Sequence, residues 1–139
     1  MSRPRPGLRA PPAVRRTPRP WRQAVGGKAR TAGRLAEAVA AAWLMLKGYQ
    51  ILGFRLRTRA GEIDILARKG GVLAVVEVKR RATIEAAIES LSGEQRGRLM
   101  AAAGALAARR RSLAGLNLRL DMVVLAPGRI PRHVRGLIV

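Results

Sequence analysis

The chain has no cysteine, which excludes disulfides, cysteine-bound zinc and thiol nucleophiles. Aromatic residues make up only 3% of it while aliphatic and other apolar types bring the total to 48%, so the core must rest on Ala, Leu, Val and Ile. No stretch approaches the roughly 18 apolar residues of a membrane span, and the N-terminus lacks the apolar run of about 7 to 15 residues that a signal peptide needs. Arg15-Arg16 is followed by Thr17, Pro18, Arg19 and Pro20, where a twin-arginine signal would require an apolar segment. The expectation is a soluble, cytoplasmic protein with no membrane partner.

Acid is the scarcest class of side chain: 8 Asp and Glu stand against 28 Lys and Arg, a formal net charge of +20. A polyanion is the expected partner. Arg far outnumbers Lys, and its planar fork matches phosphate oxygens two at a time, which favours nucleic acid over a general attraction to anionic membrane. A high-GC genome's preference for Arg codons is the plain alternative for that bias.

At 139 residues the chain has room for one substantial domain. Residues 1–29 are rich in Arg and Pro, hold no acid and show no apolar period, so they read as a disordered basic arm. Residues 30–139 carry the periodic segments. Thr31 is a plausible N-cap, and Leu35, Val39, Ala42 and Leu46 repeat at helical spacing until Gly48 supplies a stop. Tyr49 to Arg57 reads as a strand. Gly61–Ala67 and Val72–Lys79 are β-branched runs around Lys69-Gly70-Gly71, the turn chemistry of a hairpin. Ser92 with Gln95 forms a capping box for a helix that carries Leu99, Ala103 and Leu106 and ends at Arg109-Arg110-Arg111. Two closing strands are expected at Leu116–Leu125 and Arg132–Val139, split by Ala126-Pro127-Gly128. The predicted class is α/β, with a central mixed sheet flanked by helices and the element order αβββαββ.

Because carboxylates are rare, their placement carries information, and Glu62, Asp64 and Glu77 lie on one hairpin. Side chains alternate along a strand, so Glu62 and Asp64 share one face of the first strand, and Glu77 and Lys79 share one face of the second. A two-residue turn at Gly70-Gly71 sets Asp64 opposite Glu77 and Glu62 opposite Lys79, a register that a one-residue slip would destroy. Opposed like charges about 4.5–5.5 Å apart at Cβ are destabilising unless something offsets them. A divalent cation would do so, and oxygen-only ligands point to Mg²⁺ or Mn²⁺. Such a patch suits phosphodiester hydrolysis: carboxylates hold a metal, the metal lowers the pKa of a bound water, and a lysine stabilises the developing charge. The ordinary alternative is the solvated face of a hairpin.

Asp64, a turn, then Glu77-Val78-Lys79 resembles the PD-(D/E)xK motif of restriction-endonuclease-like nucleases, with Ile63 where the literal motif has Pro. Gly61-Glu62-Ile63-Asp64-Ile65-Leu66-Ala67 and Val76-Glu77-Val78-Lys79-Arg80-Arg81, with Gly33 and Glu37 upstream and Arg119-Leu120-Asp121-Met122-Val123 and His133 downstream, look like the YraN-like family of small bacterial proteins (the UPF0102 type). The resemblance covers about residues 30–139. It implies a restriction-endonuclease-like core, catalytic roles for Asp64, Glu77 and Lys79, and metal ligation by Asp64, Glu77 and the Val78 carbonyl. Glu37 is similar to the helix-one glutamate of archaeal Holliday-junction resolvases, which completes the acidic metal site there, so the resemblance adds Glu37 to the metal residues, although it points away from the Leu35, Val39, Ala42, Leu46 stripe. Arg80, Arg81, Gln95 and Arg98 are the nucleic-acid contacts the resemblance suggests. Asp121 and His133 read equally well as structural, and Glu62 as a salt-bridge partner of Lys79. Resolvase-like enzymes act as dimers, so a homodimer follows by analogy alone. Three functions stay open: a Mg²⁺-dependent endonuclease, a non-catalytic nucleic-acid-binding module of the same fold, and a basic protein held on RNA or ribosomes.

Overall fold

The computed structural model describes residues 20–139, with side chains from residue 32 onward; residues 1–19 of the basic arm lie outside the described residues. Helix α1 runs Pro20–Leu46, so it begins well before Thr31, which lies inside the helix and is not its cap. Proline suits that first helical position, because its fixed φ is already helical and its missing N–H would have had no partner there. At the other end Gly48 takes φ 91°, the Tyr49 N–H donates to the Leu44 carbonyl and the Gly48 N–H to the Met45 carbonyl. That is the Schellman arrangement, and Tyr49 and Leu44 bury together beneath it.

The helix docks through a different stripe from the one its Leu and Val spacing predicts. Ala36, Ala40, Ala41 and Leu44 are buried, whereas Leu35, Val39 and Leu46 face outward. Small alanines let the helix backbone approach the sheet closely, and the larger side chains are left outside. The correction also turns Glu37, next to Ala36, toward the sheet.

The sheet has strands β1 (Gln50–Arg57), β2 (Glu62–Lys69), β3 (Val72–Arg80), β4 (Asn117–Leu125) and β5 (Arg132–Val134), in that spatial order. β3 and β4 are parallel and the other pairs antiparallel. A parallel pair needs a crossover, which here contains helix α3 (Gly93–Arg109) and also a short helix α2 (Ile84–Glu89). The element order is therefore αβββααββ, one helix more than expected. At six residues, α2 is too short to show an apolar period; its signal is Thr83, whose side chain accepts the Ala86 N–H as N-cap. β5 stops at Val134 instead of continuing to Val139, because Gly136 turns at φ 69° and its N–H goes to Asp121.

Two apolar layers cover the sheet. On one face Leu66, Leu73, Val75, Leu120 and Met122 pack with Ala87 of α2 and Leu99, Ala102 and Ala103 of α3. On the other Ile65, Ala67, Ala74, Val76 and Val123 pack with Ala40, Ala41 and Leu44 of α1. Both layers lack bulky aromatics apart from Tyr49, as the composition requires.

Candidate functional site

The hairpin pairs in the expected register, from Lys69 opposite Val72 to Ile65 opposite Val76. Both strands continue, but the ladder stops there, and Asp64 and Glu77 stand at the mouth where β2 and β3 part. Asp64 Oδ2 accepts the Val78 N–H at 2.9 Å, so a side-chain oxygen satisfies a backbone donor that has lost its ladder partner. Glu77 Oε1 lies 3.2 Å from Lys79 Nζ, with both side chains largely covered. Glu62 does not oppose Lys79 as an ion-pair partner; it stands 3.7 Å from Arg57 of β1. Parting of the strands beyond Ile65 breaks the expected cross-strand pair, and Lys79 turns to its neighbour two residues back.

Burial raises the Glu77 carboxyl to about 7, with the charge of Asp64 adding to the effect and Lys79 opposing it. Burial likewise raises Asp64, opposed by the Val78 N–H. Two acids withdrawn from water and facing one another favour holding a proton between them or accepting a cation.

Glu37 reaches this place from α1. Its side chain is only 13% exposed, and Oε2 takes a charged hydrogen bond from Arg55 Nη1 at 2.7 Å. Burial raises its carboxyl, Arg55 pulls it down, and Asp64 and Glu62 push it up again. Glu37, Asp64, Glu77, Val78, Lys79, Arg80 and Arg81 line one cleft of 290 Å³. Gln95 and Arg98 meet Glu77 from the opposite side, in a second hollow that includes Glu62. Gln95 Oε1 accepts the Ser92 N–H at 2.9 Å to complete the capping box, and Arg98 pairs with Glu94 one helical turn away. Glu77 thus borders both hollows. Arg55 is the residue that sequence reasoning missed, and nothing in the sequence around it signals the pairing.

Among the described residues, no group of three or more His, Cys, Asp or Glu side chains is gathered closely enough to hold an ion. The donors at hand are the carboxylates of Asp64 and Glu77 and the Val78 carbonyl. These are hard oxygen ligands, and one or two carboxylates with water filling the rest is the usual protein share of a Mg²⁺ shell. The set fits Mg²⁺ or Mn²⁺, and Glu37 keeps Oε1 outside its bond to Arg55, which uses Oε2.

Asp121 and His133 lie elsewhere and do other work. Asp121 is fully buried; it takes two bonds from Arg119 at 2.7 Å, pairs with His133 Nε2 at 2.8 Å and accepts the Gly136 N–H. Arg119 also donates to the Tyr49 hydroxyl. Lys47 Nζ contacts His133 Nδ1, on the side of the ring away from Asp121. This network ties the C-terminal segment and the end of α1 to β4. It brings none of its members to the Asp64–Glu77 cleft.

The described residues thus define an α/β protein on a mixed five-stranded sheet, with a half-buried carboxylate pair at the mouth of its central hairpin. The chain belongs to the Uncharacterised protein family UPF0102, whose model matches residues 36–125. It is 58% identical over 113 residues to a UPF0102 protein of Caulobacter sp. (strain K31), covering 81% of each chain. It is 52% identical over 106 residues to one of Paramagnetospirillum magneticum, covering 73% of this chain and 82% of that one. To one of Rhizobium johnstonii it is 49% identical over 110 residues, covering 79% and 90%.

Proposed function

We propose that this protein is a divalent-cation-dependent endonuclease of the PD-(D/E)xK type, with a restriction-endonuclease-like fold, acting on DNA. The observation that carries this reading is the pair Asp64 and Glu77, withdrawn from water and facing each other beside Lys79, with Arg80 and Arg81 at the same cleft. Carboxylates are few in this chain, and two of them are held where their mutual repulsion is costly; a phosphodiesterase gives that arrangement a purpose. Asp64, Glu77 and the Val78 carbonyl would hold the cation. Bound there, Mg²⁺ or Mn²⁺ would acidify an attacking water and offset charge on the phosphate.

The remaining work falls to the protein's own groups. Lys79 supplies a positive charge within reach of both Glu77 and a phosphate drawn into the cleft, and stabilises the charge that develops as water attacks. Arg80 and Arg81 grip the flanking phosphates and set the strand's position. Gln95 and Arg98 do so across the hairpin. Glu37, held by Arg55, completes the acidic wall.

A second reading, a nucleic-acid-binding module without turnover, is favoured by one observation: among the described residues no three acidic side chains gather closely enough to hold an ion, where a third carboxylate would make a fuller site. Incubation with labelled linear, single-stranded and four-way-junction DNA in Mg²⁺, Mn²⁺ or EDTA, alongside Asp64→Ala and Glu77→Ala, separates the two. Cleavage that requires metal and vanishes in both variants, while DNA binding persists, is the expected result. Binding without cleavage under every condition transfers the assignment to the module, and affinity that does not fall with salt removes nucleic acid as the partner.

A further inference from the structure

Immediately beyond Lys79, Arg80 and Arg81 the chain enters a different hollow. It has a volume of 190 Å³ and is lined by Ala82–Glu85, by Val124 and Ala126 at the end of β4, by Arg129 and Ile130 of the β4–β5 connection, and by Arg132 at the start of β5. The two hollows share no lining residue but meet along the chain and the sheet, since Arg81 borders the acidic cleft and Ala82 this one: Lys79 pairs with Val124 and Arg80 with Leu125 in the parallel ladder, and the Arg81 N–H donates to the Leu125 carbonyl at 3.2 Å. The hollow therefore opens at the carboxyl ends of the two parallel strands, the usual place for a ligand in an α/β sheet.

Its chemistry is graded. Val124 and half-buried Ile84 give an apolar floor. Ile130 stands at the rim, 70% exposed, between two arginines, an unfavourable place for an aliphatic side chain in water unless it meets something apolar. Glu85, the one acid in the lining and exposed at its edge, makes that edge unwelcoming to a phosphate and offers an acceptor to an amino group. Arg129 and Arg132 suit phosphates at the rim or the face of a flat ring. Apolar floor, hydrogen-bond acceptor, flanking guanidiniums and an aliphatic wedge together match one nucleobase taken out of its stack, with its own phosphates outside.

We propose that this hollow receives an unpaired nucleotide of the DNA strand whose phosphate lies at Lys79, so that the substrate class is DNA carrying single-stranded nucleotides next to the scissile phosphate, not continuous duplex. The inference rests on the nuclease reading but concerns recognition, and binding in EDTA tests it apart from cleavage. The probes are a blunt duplex, the same duplex with a single-stranded flap, and that flap carrying 2-aminopurine as its first unpaired base. Wild-type protein is expected to bind the flap at least tenfold more tightly than the duplex and to change the 2-aminopurine fluorescence. Ile84→Trp, which fills the hollow, and Ile130→Glu, which acts at an exposed position and leaves the core intact, are each expected to bring flap and duplex affinity within about twofold and to abolish the fluorescence change. Equal wild-type affinity for the two DNAs, or a flap preference that survives Ile130→Glu, overturns the proposal while leaving metal-dependent cleavage standing. Failure to bind either DNA overturns it together with the nuclease reading.

Discussion

Arg55 reaches Glu37 across 2.7 Å from a backbone with φ 45°, a left-handed conformation that costs a residue with a Cβ on the order of 1–2 kcal/mol. Arg55 is the only non-glycine residue among those described with positive φ. Strain of this kind persists where the surrounding structure enforces it and clusters at functional sites. Here it aims a guanidinium at the glutamate that closes the acidic cleft.

The first prediction follows from that strain. Arg55→Gly and Arg55→Ala both remove the ion pair and leave Glu37 in the same surroundings, so the difference between them isolates the backbone. Arg55→Gly should be more stable than Arg55→Ala by about 1 kcal/mol in urea unfolding. The pair itself is partly exposed and contributes little, so Arg55→Gly should lie close to wild type. Equal stability of the two variants would refute a strained Arg55.

The carboxylate pair makes the fold less stable as pH rises. The Glu77 carboxyl sits near 7 in the folded chain against an ordinary 4.5, and Asp64 is raised in the same direction from 3.8. In the unfolded chain Glu77 ionises from pH 4.5, while in the folded chain it keeps its proton until about 7. The unfolded state therefore gains progressively between those values, and the cost is complete above about 7. Glu77→Gln should melt like wild type near pH 4 and a few degrees higher near pH 8 in EDTA. Mg²⁺ should raise the wild-type Tm at pH 8 but not at pH 4, and leave Glu77→Gln unmoved. Parallel pH profiles for the two proteins would show that the pair is not strained by ionisation.

How much of this was legible in sequence varied with the length of chain that each feature needs. The hairpin register was, because Gly70-Gly71 and two β-branched runs determine it locally, and so was the Ser92–Gln95 capping box. The docking face of α1 was not: Leu35, Val39 and Leu46 repeat at the same spacing as Ala36, Ala40 and Leu44, and only the closeness of the sheet decides for the alanines. Glu37 lies opposite the predicted stripe, as expected, but that side is the one that docks, so it borders the cleft and not solvent. The Glu62–Lys79 pair failed because strand alternation assumes a ladder that continues, and this one opens after Ile65. Arg55's role depends on a contact across helix and strand that no local pattern encodes.

The Asp121 network gives a prediction about stability alone. Burial pulls the Asp121 carboxyl up, but bonds from His133, Arg119 and the Gly136 N–H outweigh it and hold the group below its ordinary 3.8. Its contribution is therefore present above pH 3.8 and lost as pH falls through the lower, folded value. Asp121→Ala, which leaves Arg119 and His133 facing a void, should cost about 3–5 kcal/mol. Asp121→Asn should cost less and flatten the acid limb of the stability profile below pH 4. A variant within 1 kcal/mol of wild type would mean that the network contributes little.

Gln95 stands in two settings, as partner of Ser92 in the capping box and as a polar group beside Glu77 in the hollow it shares with Arg98. The two roles separate by substitution. Ser92→Ala removes the cap and should cost about 1 kcal/mol without changing DNA affinity at a temperature where the variant is folded. Gln95→Glu keeps the capping box, since glutamate serves at that position as well as glutamine, so its thermal stability should stay near wild type. The new carboxylate would stand next to Glu77 and in the path of the phosphates, so DNA binding in EDTA should fall several-fold. If Gln95→Glu binds DNA as wild type does, Gln95 is a helix cap and nothing more.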